Sequence, residues 1–190
     1  MTSERKANRG PSAGPENRRA LVAAARVVFA EEGLSAPLSA VARRAGVGQG
    51  SLYRHFPDRV ALAVAVFDEN IRELETFAGV RGSTLDDLLG LIVEQALVST
   101  AFIELLAAER DDPRVEHLGV RFREVAELVT GNERTAGRIA DDVATEDIVL
   151  SVEMIAGLLA RTPAAERRST ADRARALLRS GFAPRIPAAR

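Results

Sequence analysis

Apolar residues recur at three- and four-residue intervals along most of the chain, and glycine or proline cuts the pattern into segments. No segment alternates apolar and polar residues as a half-buried strand would. Stripes of this kind are buried by packing helix on helix, so the expected fold is all-α. The segments are unequal. Residues 15–58 divide into one medium run and two short ones, whereas residues 59–182 hold long runs. This predicts a small three-helix head joined to a larger helical body.

The first run, "ENRRALVAAARVVFAEEG", places Leu21, Ala24, Ala25, Val28 and Phe29 on one face and stops at Gly33. "PLSAVARRAG" predicts a short helix with Pro37 in its first turn, Leu38, Val41, Ala42 and Ala45 facing inward, and Gly46 as the stop. "QGSLYRHF" predicts a third helix, with Leu52 and Phe56 one turn apart on its inner face. Pro57 breaks it, and Asp58 caps a fourth helix, from Arg59 to Phe77. In the body, Thr84 caps a long apolar helix over 85–110, and Pro113 opens a helix reaching about Val129. Residues 130–143 are ambiguous. Thr145 caps the next helix, and Pro163 starts the last, which ends near Phe182. Residues 1–14 are expected to be a disordered basic arm and residues 183–190 a flexible tail.

Charge is segregated along this plan. Residues 1–60 carry ten Lys and Arg against five Asp and Glu, and residues 61–190 carry 16 against 22. A basic head on an acidic body suits a polyanion at one end. The chain has no Cys, which excludes a disulfide framework and a thiolate metal site. No apolar run is long enough to span a membrane, and the N-terminal segment has no apolar core of the secretory type, so the expected location is the cytoplasm.

"AGVGQGSLYRHF" (45–56) invites several chemistries. Its glycines superficially suggest a dinucleotide loop, but such a loop follows a strand, and here a short amphipathic run precedes it. A phosphate-cradling P-loop would need a Lys after the glycines. His55 has no metal-ligand spacing, because the other histidine, His117, lies far away in the body. The Asp pairs at 86–87, 111–112 and 141–142 fall at helix starts or loops, where capping explains them better than acid–base catalysis. No catalytic residue, metal or cofactor is therefore expected.

A helix-turn-helix explains the segment. Gly46 permits the left-handed backbone of a tight turn, and Val47 plugs the angle between the two helices. With Leu52 and Phe56 inward, Gly50 and Arg54 point most directly outward, flanked by Ser51 and Tyr53, with Gln49 near the helix start. These are the positions a recognition helix presents to the major groove. Gln49 can read a base edge, while Ser51, Tyr53 and His55 offer donors suited to phosphates.

"PLSAVARRAGVGQGSLYRHFPDRVALAVAVF" closely resembles the DNA-binding signature of the tetracycline-repressor (TetR/AcrR) family of bacterial transcriptional regulators. The resemblance covers about residues 15–67, while the acidic body is similar only in helical architecture. It implies a homodimer whose heads enter successive major grooves of a palindromic or near-palindromic double-stranded operator. It also implies a dimer interface formed largely by the last two long helices, and a body pocket for a small-molecule effector. By position, Tyr53 and His55 correspond to phosphate contacts and Gln49, Gly50 and Ser51 to base-reading positions. Arg59 stands where the family has Lys. Pro37 replaces a common capping Thr, for which Ser39 could partly substitute, and Gly48 replaces a common Ser. The expected DNA-binding set is Ser39, Arg43, Gln49, Gly50, Ser51, Tyr53, Arg54, His55 and Arg59.

The polar residues Gln95, Ser99, His117 and Arg121 within apolar stretches of the body, with Phe102 and Met154 beside them in the sequence pattern, supply pocket candidates. Few aromatics are available there, so the expected effector is small and apolar or amphipathic. The expected function is a ligand-released repressor. The alternatives are a ligand-independent DNA-binding or architectural dimer and, more remotely, a small helical enzyme.

Overall fold

The computed structural model describes residues 14–98, 105, 108, 109 and 111–184. In chain order its α-helices are α1 (Gly14–Glu32), α2 (Leu38–Ala45), α3 (Gln49–His55), α4 (Arg59–Ala78), α5 (Leu85–Val98), α6 (Pro113–Thr135), α7 (Thr145–Arg161) and α8 (Arg167–Phe182). Among the described residues there is no strand. Gly14, expected in the basic arm, opens α1, and the rest of that arm lies outside the described residues, as do Ser99, Phe102 and residues 185–190.

Helix ends follow from local chemistry. Gly33 (φ 78°) closes α1 by donating to the Phe29 carbonyl at 3.0 Å. Asp58 caps α4, its Oδ1 accepting the Ala61 N–H at 2.7 Å. Thr84 caps α5 by accepting the Asp87 N–H at 3.1 Å. Asp112 caps α6 by accepting the Arg114 N–H at 2.9 Å.

Boundaries in the body also differ from the sequence reading. α6 runs through Gly131 to Thr135, because Val129, Thr130 and Glu133 are all buried along its inner face. Its stop is Gly137 (φ 66°), where Gly137 N–H donates to Arg134 and Arg138 N–H to Glu133, each at 3.0 Å. Thr145 lies inside α7. Ala144 takes the capping position, and its N–H donates to Asp147 Oδ2 at 2.8 Å. Before α8, residues Ala164–Glu166 form a 3-10 turn.

Helix α4 is shared by both ends of the molecule. One continuous apolar core begins with Leu21, Val28 and Phe29 of α1, passes through Leu62, Val66, Phe67 and Ile71 of α4, and reaches Leu118 and Val125 of α6 and Ile148 of α7. A second, smaller core gathers Val93 and Ala96 of α5, Ile155 and Leu159 of α7 and Ala171 of α8. Two arginine forks tie α8 to α5. Arg175 holds Asp86 at 3.1 and 2.7 Å, and Arg168 holds Glu94 at 2.7 and 2.9 Å. No helix among the described residues is long and apolar enough to cross a membrane.

Candidate nucleic-acid interface

The turn between α2 and α3 is built by Gly46. Its φ of 65° lets the Gly46 N–H reach the Arg43 carbonyl at 3.2 Å and the Val47 N–H reach the Ala42 carbonyl at 3.0 Å. Val47, just past the glycine, packs half-buried against the core. Neither Pro37 at the start of α2 nor Gly48 at the start of α3 contributes a side-chain cap.

Helix α3 has two distinct faces. Leu52 and Phe56 are 1% and 2% exposed, while Tyr53 is 53% exposed beside exposed Gln49, Gly50 and Arg54. Ser51 and His55 lie half-buried at the margins of the outward face. A Cβ built at Gly50 meets no atom within 4 Å, so the protein's own packing does not demand a glycine there. Ser39 and Arg43 are exposed on α2. Arg18 of α1 sits over the Phe56 ring, with Cζ 5.2 Å from the centroid, bringing a guanidinium to the end of α3. Sequence pattern gave no sign of that contact, since it joins separate helices.

Arg59 faces inward more than expected. Its Nη1 donates to the Leu34 carbonyl at 2.5 Å and to the Ala36 carbonyl, bracing the turn between α1 and α2. Two other head arginines are paired with carboxylates: Arg44 with Glu31 at 2.9 Å, and Arg26 with Glu69 of α4 at 2.7 Å.

Of the described pocket candidates, Gln95 and Arg121 are bonded to α4, while His117 and Met154 are exposed. Gln95 Nε2 donates to the Asn70 carbonyl at 3.3 Å and to Glu73 at 3.2 Å. Arg121 is committed to Glu75 and Asp68 of α4. Its forked hydrogen bonds hold the Glu75 carboxyl below the usual carboxylate range, and the Glu75 and Asp68 carboxylates in turn raise the Arg121 guanidinium. His117 is exposed, and Met154 is 61% exposed. A shallow concavity of about 230 Å³ lies elsewhere, lined by Asp86, Asp172, Arg175, Ala176 and Arg179. Among the described residues no group of His, Asp and Glu side chains is placed to hold a metal ion.

Residues 21–66 match the model of "Bacterial regulatory proteins, tetR family". Curated protein sequences give no match. Among solved structures, the TetR transcriptional regulator SCO0520 from Streptomyces coelicolor is 27% identical, with 89% of this chain and 99% of that one covered and a TM-score of 0.66. A TetR transcription regulatory protein from Mycobacterium vanbaalenii is 23% identical, with 90% and 98% covered and a TM-score of 0.62. A gamma-butyrolactone receptor described as ArpA-like is 25% identical, with 90% of each chain covered and a TM-score of 0.60. The helix-turn-helix thus matches the TetR family model, and the fold along most of the chain is shared with solved TetR transcriptional regulators.

Proposed function

We propose that this chain is a cytoplasmic, homodimeric DNA-binding repressor that a small apolar or amphipathic molecule releases from its operator. The observation that carries the DNA half is the outward face of α3, where Gln49, Gly50, Tyr53 and Arg54 stand exposed on a helix anchored by Leu52 and Phe56. On this reading Gln49 and Arg54 reach base edges, and Gly50 lets the backbone approach them. Ser39, Arg43, Ser51, Tyr53 and His55 contact phosphates. Arg59 Nη1 is turned to the α1–α2 turn, so any phosphate contact falls to its other nitrogens.

Dimerisation through α7 and α8 is supported by an exposed apolar stripe at Leu150, Met154 and Leu158 of α7, and by Leu177, which is also exposed, on α8. Two copies related by a twofold axis would place their recognition helices about 34–36 Å apart, one turn of the duplex. The effector half draws support from the similarity to a gamma-butyrolactone receptor. A ligand would act by favouring a body conformation in which α4 carries the heads out of groove register. The competing reading is a ligand-independent DNA-binding dimer. It is favoured by Gln95 and Arg121, whose polar atoms are bonded to α4 rather than turned to a cavity.

The test is a mobility shift with DNA from immediately upstream of the protein's own gene, comparing the parent with Tyr53→Ala and Arg54→Ala. Loss of the Tyr53 phosphate contact weakens binding to all sequences by a similar factor and leaves the salt dependence nearly unchanged, because a neutral phenol displaces no counterions. Loss of Arg54 costs about 1–3 kcal/mol of discrimination at one base pair. Unchanged binding in both variants rejects α3 as the reading helix. Small amphipathic compounds, gamma-butyrolactones among them, are then titrated onto the complex, and the ligand-independent reading prevails if none alters operator affinity.

A further inference from the structure

Two arginines on α6, Arg114 and Arg121, hold α4 in different ways. Arg121 is only 16% exposed. Its Nε and Nη2 fork onto the two oxygens of Glu75 at 2.7 and 2.8 Å, and its Nη1 donates to Asp68. Arg114 sits at the other end of the contact, open to solvent. Its Nη1 donates to both oxygens of Asp58 at 3.1 and 3.0 Å, while its Nε and Nη2 donate to Asp112 at 3.0 and 2.7 Å. Asp58 is the N-cap of α4 and Asp112 the N-cap of α6. One guanidinium therefore joins the first residues of two helices, and only Phe56 and Pro57 separate Asp58 from α3.

The two contacts differ in strength. An enclosed arginine forked onto two carboxylates is costly to separate, whereas a water-facing pair opens readily. The exposed contact is the one nearest the recognition helix. α1 also packs on α4, and Arg26 joins it to Glu69, so the head and the first half of α4 form one unit.

We propose that Arg121 is the pivot and Arg114 the latch that set the placement of the head on the body. With Arg114 on Asp58, the start of α4 and the recognition helix are held in one position against the start of α6. With that bond open, the head and the first half of α4 turn about the Arg121 contact. Both are positioning residues, and their bearing on DNA binding rests on the reading of α3 given above.

The absence of Cys from the sequence permits a direct test on the full chain. Cysteines introduced at Glu32, at the exposed end of α1, and at Glu127, on the exposed face of α6, take spin labels. Pulsed dipolar spectroscopy, with labelled chain diluted into unlabelled chain, then reads the head-to-body distance within one copy. The parent is expected to give one narrow distribution. Arg114→Gln is expected to broaden it roughly twofold, as displacements of a few ångströms would. Asp58→Asn keeps an oxygen for the Ala61 N–H but loses the charge, so it reaches the same bond from the other side and should broaden the distribution likewise. Arg168→Gln, which cuts only the distant pair with Glu94, should leave it unchanged. The latch is overturned if Arg114→Gln and Asp58→Asn both keep the parent distribution, or if Arg168→Gln broadens it equally. A parent with this behaviour that binds no DNA would sink the DNA reading and leave the latch standing. A DNA-binding parent whose distances ignore Arg114→Gln would do the reverse.

Discussion

Gly46 and Gly50 lie one helical turn apart in sequence, and replacing each with Ala should give opposite results. A Cβ at Gly50 meets nothing within 4 Å, and the backbone there is ordinary right-handed helix. Gly50→Ala therefore removes only the entropic penalty of glycine, a gain of about 0.5–1 kcal/mol in a helix. For a chain of this size that raises Tm by about 1–4 °C. The added methyl nevertheless stands on the outward face of α3, between Gln49 and Arg54. Where the backbone must approach base edges, it should weaken operator binding by about tenfold or more, equivalent to about 1.4 kcal/mol. Gly46→Ala also meets empty space, but at φ 65° the new side chain is strained, at a cost of about 1–2 kcal/mol. Its loss of binding should follow its loss of stability. Fluorescence anisotropy with labelled operator DNA, beside thermal unfolding, measures both quantities. A Gly50→Ala chain that is more stable and binds DNA as tightly as the parent would refute the placement of Gly50 against the duplex.

Acid should loosen the helix straps before it unfolds the core. Asp112 is held at about 2 by the Arg114 side chain and, next, by the Arg114 backbone N–H, while Arg121 lowers Glu75 and Arg175 lowers Asp86. Because the folded-state values lie below the unfolded ones, these contributions are present above about pH 4 and are lost as pH falls through the folded values. The urea midpoint should be flat from pH 7 to 5 and fall below pH 4, less steeply in Asp86→Asn than in the parent. A midpoint that rises on acidification refutes the sign. At the proposed interface, Met154→Glu with Leu158→Glu should give monomers in sedimentation velocity while helical content is retained. A dimer that survives both changes places the interface elsewhere.

The head was more legible in the sequence than the body because its signals are local. Gly33, Gly46 and Asp58 act within a few residues of where they stand, and the helix ends fall there. The end of α6 was not legible, since Gly131 and Asn132 resemble a stop. Burial of Val129, Thr130 and Glu133 by neighbouring helices overrides that weak propensity, and the left-handed backbone comes later, at Gly137. Arg121 and Gln95 drew attention as polar residues within apolar runs. Their partners, Asp68, Glu75, Asn70 and Glu73, lie on another helix, and no periodicity within α5 or α6 reveals which carboxylate an arginine will meet. Arg59 shows the same limit, because its carbonyl partners belong to the α1–α2 turn.

The unbroken core through α4 bears on how a hybrid regulator could be assembled from this chain. A graft that exchanges α1–α3 alone would cut at Pro57 and leave Leu21, Val28 and Phe29 facing a foreign surface where Leu62, Val66 and Phe67 had been. The exchangeable cassette is longer than the proposed DNA-reading part and should extend to Ala78. Its seam then falls along the side of α4 that meets α6, where Asp58, Asp68 and Glu75 must find matching arginines in the recipient.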